Sequence, residues 1–224
     1  MIQDIWPKHL DNQYKNLKPG NEDTVFYFQG SSLLARPSGH FNSQNPEENV
    51  LIYPQYDEFV QGIKSSYGDK AVDNFEFIYL LSIDEEHFFL ARKTGSLERG
   101  TFLGEMADSA VHKDMYSFVR GYEFIGVDSF RKAQPREHAY AAITAFHLYG
   151  WYRDNHFCGR CGKPLKHDDK QRMLRCDCCK NMVFPKICPA VIVAVTDKDR
   201  ILLTKYAGRT YRNYALIAGF TEIG

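Results

Sequence analysis

All six cysteines of the 224-residue chain lie between Cys158 and Cys188, and four of them have a spacing that can bind a metal. Cys158-Gly-Arg-Cys161 and Cys176-Asp-Cys-Cys179 are two Cys-x-x-Cys turns. Each can direct two sulfurs inward from one tight loop, and two such loops close a tetrahedron of thiolates around zinc with no open position for water. The chemistry expected of such a site is structural, folding a segment too short for a core of its own. Gly159 and Gly162 are expected to relieve crowding where backbone amides turn toward the sulfurs. An iron–sulfur cluster is the other occupant that four thiolates admit. Disulfides suit neither the pairing of the motifs nor a reducing compartment, and a redox Cys-x-x-Cys ordinarily stands alone at a helix N-terminus. Cys178 competes with Cys179 for the fourth position, and Cys188 is read as a buried, inert thiol.

The segments around the cysteines define three regions, giving an α+β protein. Residues 1–152 form a mixed N-terminal domain, 153–187 the ribbon, and 188–224 the first strands of a further α/β layer. In the first region Thr24–Gln29 (TVFYFQ) and Val50–Tyr53 are short β-rich runs, and Phe75–Ile83 with His87–Ala91 reads as a hairpin around Asp84-Glu85-Glu86. Tyr56, Phe59, Val60, Ile63 and Tyr67 recur at helical spacing. Arg36–Glu48, rich in Pro, Ser and Asn, reads as a loop. Pro135 marks the first turn of a second helix, whose apolar stripe is Ala139, Ala142, Ile143, Phe146 and Tyr149. Past the ribbon, Ala190–Val195 (AVIVAV) is a strand expected to be buried on both faces. Asp197-Lys198-Asp199 is a turn, Ile201–Tyr206 a second strand, and Tyr214–Ala218 a third apolar run ending at Gly219.

Composition narrows the function classes. Lys plus Arg and Asp plus Glu are 28 each, so no overall field favours nucleic acid or an anionic membrane. MIQDIWPKHLDNQYK has no apolar core of a secretory signal, and no run approaches a bilayer span. The expected compartment is the cytoplasm. His138, His147 and His156 have no spacing suited to a metal and are read as helix-surface or packing residues.

The ribbon followed by FPKICPAVIVAV, a hairpin and LIAGFTEIG resembles the NADH pyrophosphatase branch of the Nudix hydrolases. There a zinc ribbon joins an N-terminal domain to a Nudix α/β/α sandwich whose signature box opens Gly-x5-Glu. Gly219 matches the opening glycine and Phe220–Gly224 the next five positions, so the first box glutamate and the Arg-Glu-x-x-Glu-Glu helix are expected after Gly224. The resemblance covers residues 150–224 and is loose before that. It implies hydrolysis of the pyrophosphate of NADH or NAD⁺ to nicotinamide mononucleotide and AMP. Another dinucleotide or NAD-capped RNA is the alternative substrate. Mg²⁺ or Mn²⁺ would neutralise the bridge and orient the attacking water.

Family members are usually dimers, which implies a homodimer. Residue by residue, the resemblance implies the Ala218 carbonyl as a ligand of the catalytic cation and Phe220 as an aromatic stacking on a substrate ring. Phe184 would replace a substrate-site tyrosine without its hydroxyl, and Gln171 a substrate-binding glutamate without its charge. Arg131 is a phosphate contact from the first domain. Phe184 and Phe220 are equally what a core would hold, Arg131-Lys132 what a wet surface would show, and Glu222 is a turn carboxylate more at home in solvent than on a metal. Without the box glutamates, the 224-residue chain is expected to be inactive. A reading from another class is a non-catalytic zinc-ribbon module binding RNA or a protein partner through Arg160, Lys163, Lys166, Lys170, Arg172 and Arg175.

Overall fold

The computed structural model describes residues 2–39, 50–94, 117–208 and 212–222. The chain divides into two compact units, Met1–Phe184 and Pro185–Gly224. The architecture is mixed α+β.

The first unit is built on a sheet of seven strands: β1 (Leu10–Asp11), β2 (Thr24–Gln29), β3 (Ser32–Pro37), β4 (Leu51–Ile52), β5 (Phe75–Ile83), β6 (Glu86–Lys93) and β7 (Glu123–Gly126). Their order is β1-β5-β6-β2-β3-β4, with β7 also on β3. All pairs are antiparallel except β2 with β6. Successive side chains of a strand face opposite sides, so each face of the sheet gathers its own core. Phe26 and Phe28 enter one core, Val25 and Tyr27 the other. Helix α2 (Arg136–Asp154) covers the first face and α1 (Tyr56–Tyr67) the second.

Phe59, Val60 and Ile63 are the buried residues of α1, as their helical spacing predicts. Gly62 lets that helix approach closely, since a Cβ there would lie 2.8 Å from the Phe118 carbonyl oxygen. The apolar face of α2 centres elsewhere than the sequence suggests. Ala141, Ala145, Leu148, Trp151 and Tyr152 are buried with Ala139, Ala142 and Tyr149, whereas Ile143 and Phe146 are only partly covered. Alanines let the helix lie close to the sheet, which sets the buried face by backbone distance rather than side-chain size. Pro135 is the residue before the helix, not within its first turn.

The β5–β6 hairpin turns at Asp84-Glu85, with Ile83 opposite Glu86. Its register shifts between Tyr79 and Leu81, a bulge that leaves Leu80 out of step with β6. Arg36 and Pro37 end β3 instead of opening a loop, and the remainder of the expected loop, positions 40–48, lies outside the described residues.

The ribbon is a three-stranded antiparallel sheet, β8 (Leu165–His167), β9 (Leu174–Cys176) and β10 (Met182–Val183), with β9 central. Leu174 belongs to the core under α2, so ribbon and first domain share apolar packing. Among the described residues no helix is long and apolar enough to cross a membrane.

The second unit pairs β11 (Ala190–Val193) with β14 (Ile217–Phe220), and β12 (Thr196–Asp197) with β13 (Arg200–Ile201). Two sequence expectations fail here. AVIVAV forms only a four-residue strand, and its residues are exposed rather than buried on both faces. Ile201–Tyr206 is not a continuous strand, since only Ile201 pairs within β13, and Thr204 bridges Ala215. Cys188 is likewise exposed, not buried. Within this unit the pairing is ladder-only, and no described residue of it is packed away from solvent into a core.

Candidate metal centre

Two loops of the ribbon have the same backbone design. In the first, the Gly162 amide donates to the Cys158 carbonyl (2.8 Å) and the Cys158 amide to the Lys163 carbonyl (2.8 Å). In the second, the Lys180 amide donates to the Cys176 carbonyl (3.0 Å) and the Cys176 amide to the Asn181 carbonyl (2.9 Å). Each loop closes through a residue of positive φ, Gly162 at 71° and Lys180 at 60°. Only the first has glycine where the left-handed conformation favours it. Gly159, expected to do the same work, has no such φ.

The loops bring Cys158, Cys161, Cys176 and Cys179 together, with all four sulfurs within 4.8 Å of one another. Cys158 Sγ lies 3.5 Å from Cys179 Sγ, and Cys161 Sγ 3.4 Å from Cys176 Sγ. Sulfurs at the corners of a tetrahedron with bonds of about 2.3 Å stand about 3.8 Å apart, and these two separations are close to that value. Among the described residues this is the group placed to hold a metal. Cys179, not Cys178, completes it, and Cys178 is exposed.

The electrostatics point the same way. The Arg160 amide foremost, then that of Cys161, draws the Cys158 thiol down to about 6. The Cys179 and Cys178 amides lower Cys176. Cys161 is pulled down by the Lys163 amide, but Cys176, burial and the other thiols outweigh this and push it up to about 12. Cys179 is raised too, against its Asn181 amide, by burial and Cys158. In each loop one thiol is lowered and its partner raised, because burial and hydrogen bonds to neighbouring sulfurs keep the proton on the raised one, so the four do not all ionise together. A soft dication removes that conflict, and backbone N–H groups already face the sulfurs to support their charge.

Residues outside the loops fix the ribbon to the first domain. Arg172 donates to the Leu80 carbonyl at the β5 bulge and to the Asn12 carbonyl. Tyr152 Oη, near the end of α2, lies 2.7 Å from His167 Nε2. Within the ribbon, Asn181 Nδ2 of the second loop reaches Cys158 Sγ of the first at 3.6 Å. Sequence reading assigned Arg172 to a basic surface and passed over the other three. Asn181 alone had a signal, because it stands five residues after Cys176 as Lys163 does after Cys158. The basic surface is correspondingly thinner, since Arg172 serves the fold and Lys166 pairs with Asp177 at 2.7 Å.

The other predicted site residues are not gathered at the thiols. Gln171 is exposed in the β8–β9 loop, its amide donating to Asp168. Arg131 is exposed on the short 3₁₀ helix Val127–Lys132. Phe184, 47% exposed, ends the first unit. In the second, Ala218 stands opposite Ile192 in the β11–β14 ladder and Phe220 is 78% exposed. Neither phenylalanine is a core residue. Glu222 is exposed, and carboxylates do not gather into a cation-binding group among the described residues.

No family model matches the chain. It is similar to proteins named NAD-capped RNA hydrolase NudC from Salmonella typhi, Salmonella heidelberg and Salmonella paratyphi B, with 34% identity over 77 residues in each case. The match covers 34% of this chain, and the chain spans only 30% of the length of each relative. Over that stretch the chain is similar to the NudC hydrolases, in agreement with the resemblance carried by its ribbon and its GFTEIG segment.

Proposed function

We propose that the chain belongs to a zinc-ribbon Nudix hydrolase that splits the pyrophosphate of NADH or NAD⁺, or removes an NAD cap from RNA. The observation that carries this reading is the match to NudC proteins in a chain whose four-thiol centre precedes a strand with Gly219 at the box position. In this reading Cys158, Cys161, Cys176 and Cys179 hold structural zinc, and Phe220 and Phe184 supply exposed aromatic faces for substrate rings. Gln171 and Arg131 supply polar contacts. The Ala218 carbonyl is one ligand of a catalytic Mg²⁺ or Mn²⁺. The described residues offer that cation no carboxylate set, so no hydrolytic step is assigned to them. A cytoplasmic homodimer belongs to the same proposal.

The test is release of AMP from NADH and from NAD-capped RNA in the presence of Mn²⁺. It compares the 224-residue chain with the same chain joined to the rest of the Nudix domain, from the box onward, of a Salmonella relative. No turnover is expected from the first. The second should act on at least one substrate, with KM raised severalfold by Phe220→Ala. A joined chain that folds and retains zinc yet hydrolyses neither substrate would sink the reading.

A further inference from the structure

The outer face of the ribbon sheet carries groups that the metal centre does not use. Side chains of β8, β9 and β10 alternate between two faces. His167, Leu174 and Val183 form one row across the sheet, with Leu174 and Val183 against the first core. The neighbouring row, Lys166, Arg175 and Met182, therefore turns to solvent, and all three are exposed. Phe157 joins this face through its bridge to Pro164, two residues before Lys166. Phe184 joins it two residues after Met182. Phe157 is 51% exposed and Met182 55%. Three large apolar side chains interleaved with cations on one sheet face mark an interaction surface rather than scattered exposure.

Charge narrows the partner. Residues 153–184 hold eight Lys and Arg against four Asp. The two negative charges of a zinc tetrathiolate would still leave the ribbon positive, in a chain that is neutral overall. Arg175 stands within electrostatic reach of Asp168 and Asp177 but is hydrogen-bonded to neither. Lys166 and Asp177 form a largely exposed pair, too open to be strong, so a phosphate can replace the carboxylate. The exposed Arg160 and Lys163 of the first metal loop flank Phe157 in sequence. A polyanion that also carries flat rings satisfies both sets of groups, its bases on the open apolar faces and its phosphates on the cations. A duplex hides those rings, and an acidic protein segment would use the cations alone.

We infer that the outer face of the ribbon holds the unpaired body of an RNA strand, running from Phe157 across Arg175 and Met182 toward Phe184. These two corners are on the order of 20 Å apart, from strand spacings of about 4.8 Å and rises of about 3.3 Å per residue, enough for several nucleotides. The choice of RNA rests on the hydrolase reading, which places a substrate ring at Phe184. The test reads binding of an uncapped strand, so the two ideas can fail separately.

Fluorescence anisotropy follows a labelled, unstructured RNA of about 12 nucleotides, titrated with the zinc-loaded 224-residue chain over a salt series. Duplex RNA of the same sequence and poly-L-glutamate are the comparisons. The single strand is expected to bind at least tenfold tighter than either. Arg175→Gln should reduce the slope of log affinity against log salt by about 0.7. Phe157→Ala should weaken binding about tenfold and leave that slope unchanged. If Phe157→Ala loses the metal, the Arg175→Gln slope decides alone. No binding of the single strand at low salt would overturn the inference, as would equal affinity for the duplex. Equal affinity for poly-L-glutamate would overturn it in favour of an acidic protein partner. Unchanged affinity and slope in metal-retaining Phe157→Ala and Arg175→Gln would also overturn it. Turnover of NADH by the joined chain without RNA binding here would sink the RNA tract and leave the hydrolase reading intact.

Discussion

Gly162 and Lys180 occupy equivalent positions in the two metal loops, and the difference between them can be measured. Both have positive φ, where an ordinary side chain crowds its own carbonyl by about 1–2 kcal/mol. A Cβ at Gly162 would meet nothing within 4 Å, so the backbone term acts alone there. Gly162→Ala is therefore expected to destabilise the ribbon by about 1 kcal/mol, after a partial offset from the lower entropy of the unfolded chain. Thermal unfolding of the metal-loaded protein checks this, and an unchanged midpoint would refute it. The choice of fourth ligand belongs to the same scale. Cys179 Sγ is in the cluster and Cys178 is in solvent. Cys178→Ser should keep one zinc per chain, whereas Cys179→Ser should lose it in competition with a chromogenic chelator. The reverse order would show that the second loop re-registers around the metal.

Among the elements, the β8–β9 loop connects the metal centre to the sheet through Arg172. The β5 bulge turns the Leu80 carbonyl out of the β6 ladder, and Arg172 supplies its donor. Leu80 is fully buried, so Arg172→Met would leave that carbonyl unpaired at a cost of about 1–3 kcal/mol. Hydrogen exchange should accelerate in β5 and in β8–β9 together. Acceleration confined to the ribbon would mean that the contact does not couple them. Sequence reading could not have found this bond. Bulge and arginine are far apart in the chain, and each looks ordinary alone: one is an apolar strand residue, the other part of a basic run. Local patterns were legible where one period decides the structure, as in Thr24–Gln29, Tyr56–Tyr67 and the Phe75–Ile83 hairpin. The two cysteine loops were legible because ligand spacing is itself local. AVIVAV was misread for the converse reason. Its composition shows that a strand suits apolar surroundings, but only tertiary contacts determine whether anything covers it.

At the scale of the molecule, the metal centre is joined to the first core rather than appended to it. Leu174, one strand position from the candidate ligand Cys176 by period two, packs in the core that contains α2, and Tyr152 of that helix bonds His167 of β8. Metal binding in such sites is folding free energy, on the order of 10 kcal/mol in isolated ribbons and fingers, and a metal bound by these four thiols would pass part of it to the sheet. If metal removal withdraws even about 4 kcal/mol from the first unit, its unfolding midpoint should fall by on the order of 10 °C, at 2–4 °C per kcal/mol for a domain of this size. Trp151 provides the probe. It is 7% exposed, 4.5 Å from the Tyr152 ring, while Trp6, the other tryptophan, is 89% exposed and removable as Trp6→Phe. In that variant the remaining fluorescence reports on the end of α2. A strong chelator is expected to lower the Trp151 transition together with loss of the metal, and adding zinc back should restore it. A Trp151 transition unmoved by complete metal removal would show that the ribbon folds and unfolds independently of the domain whose core it completes.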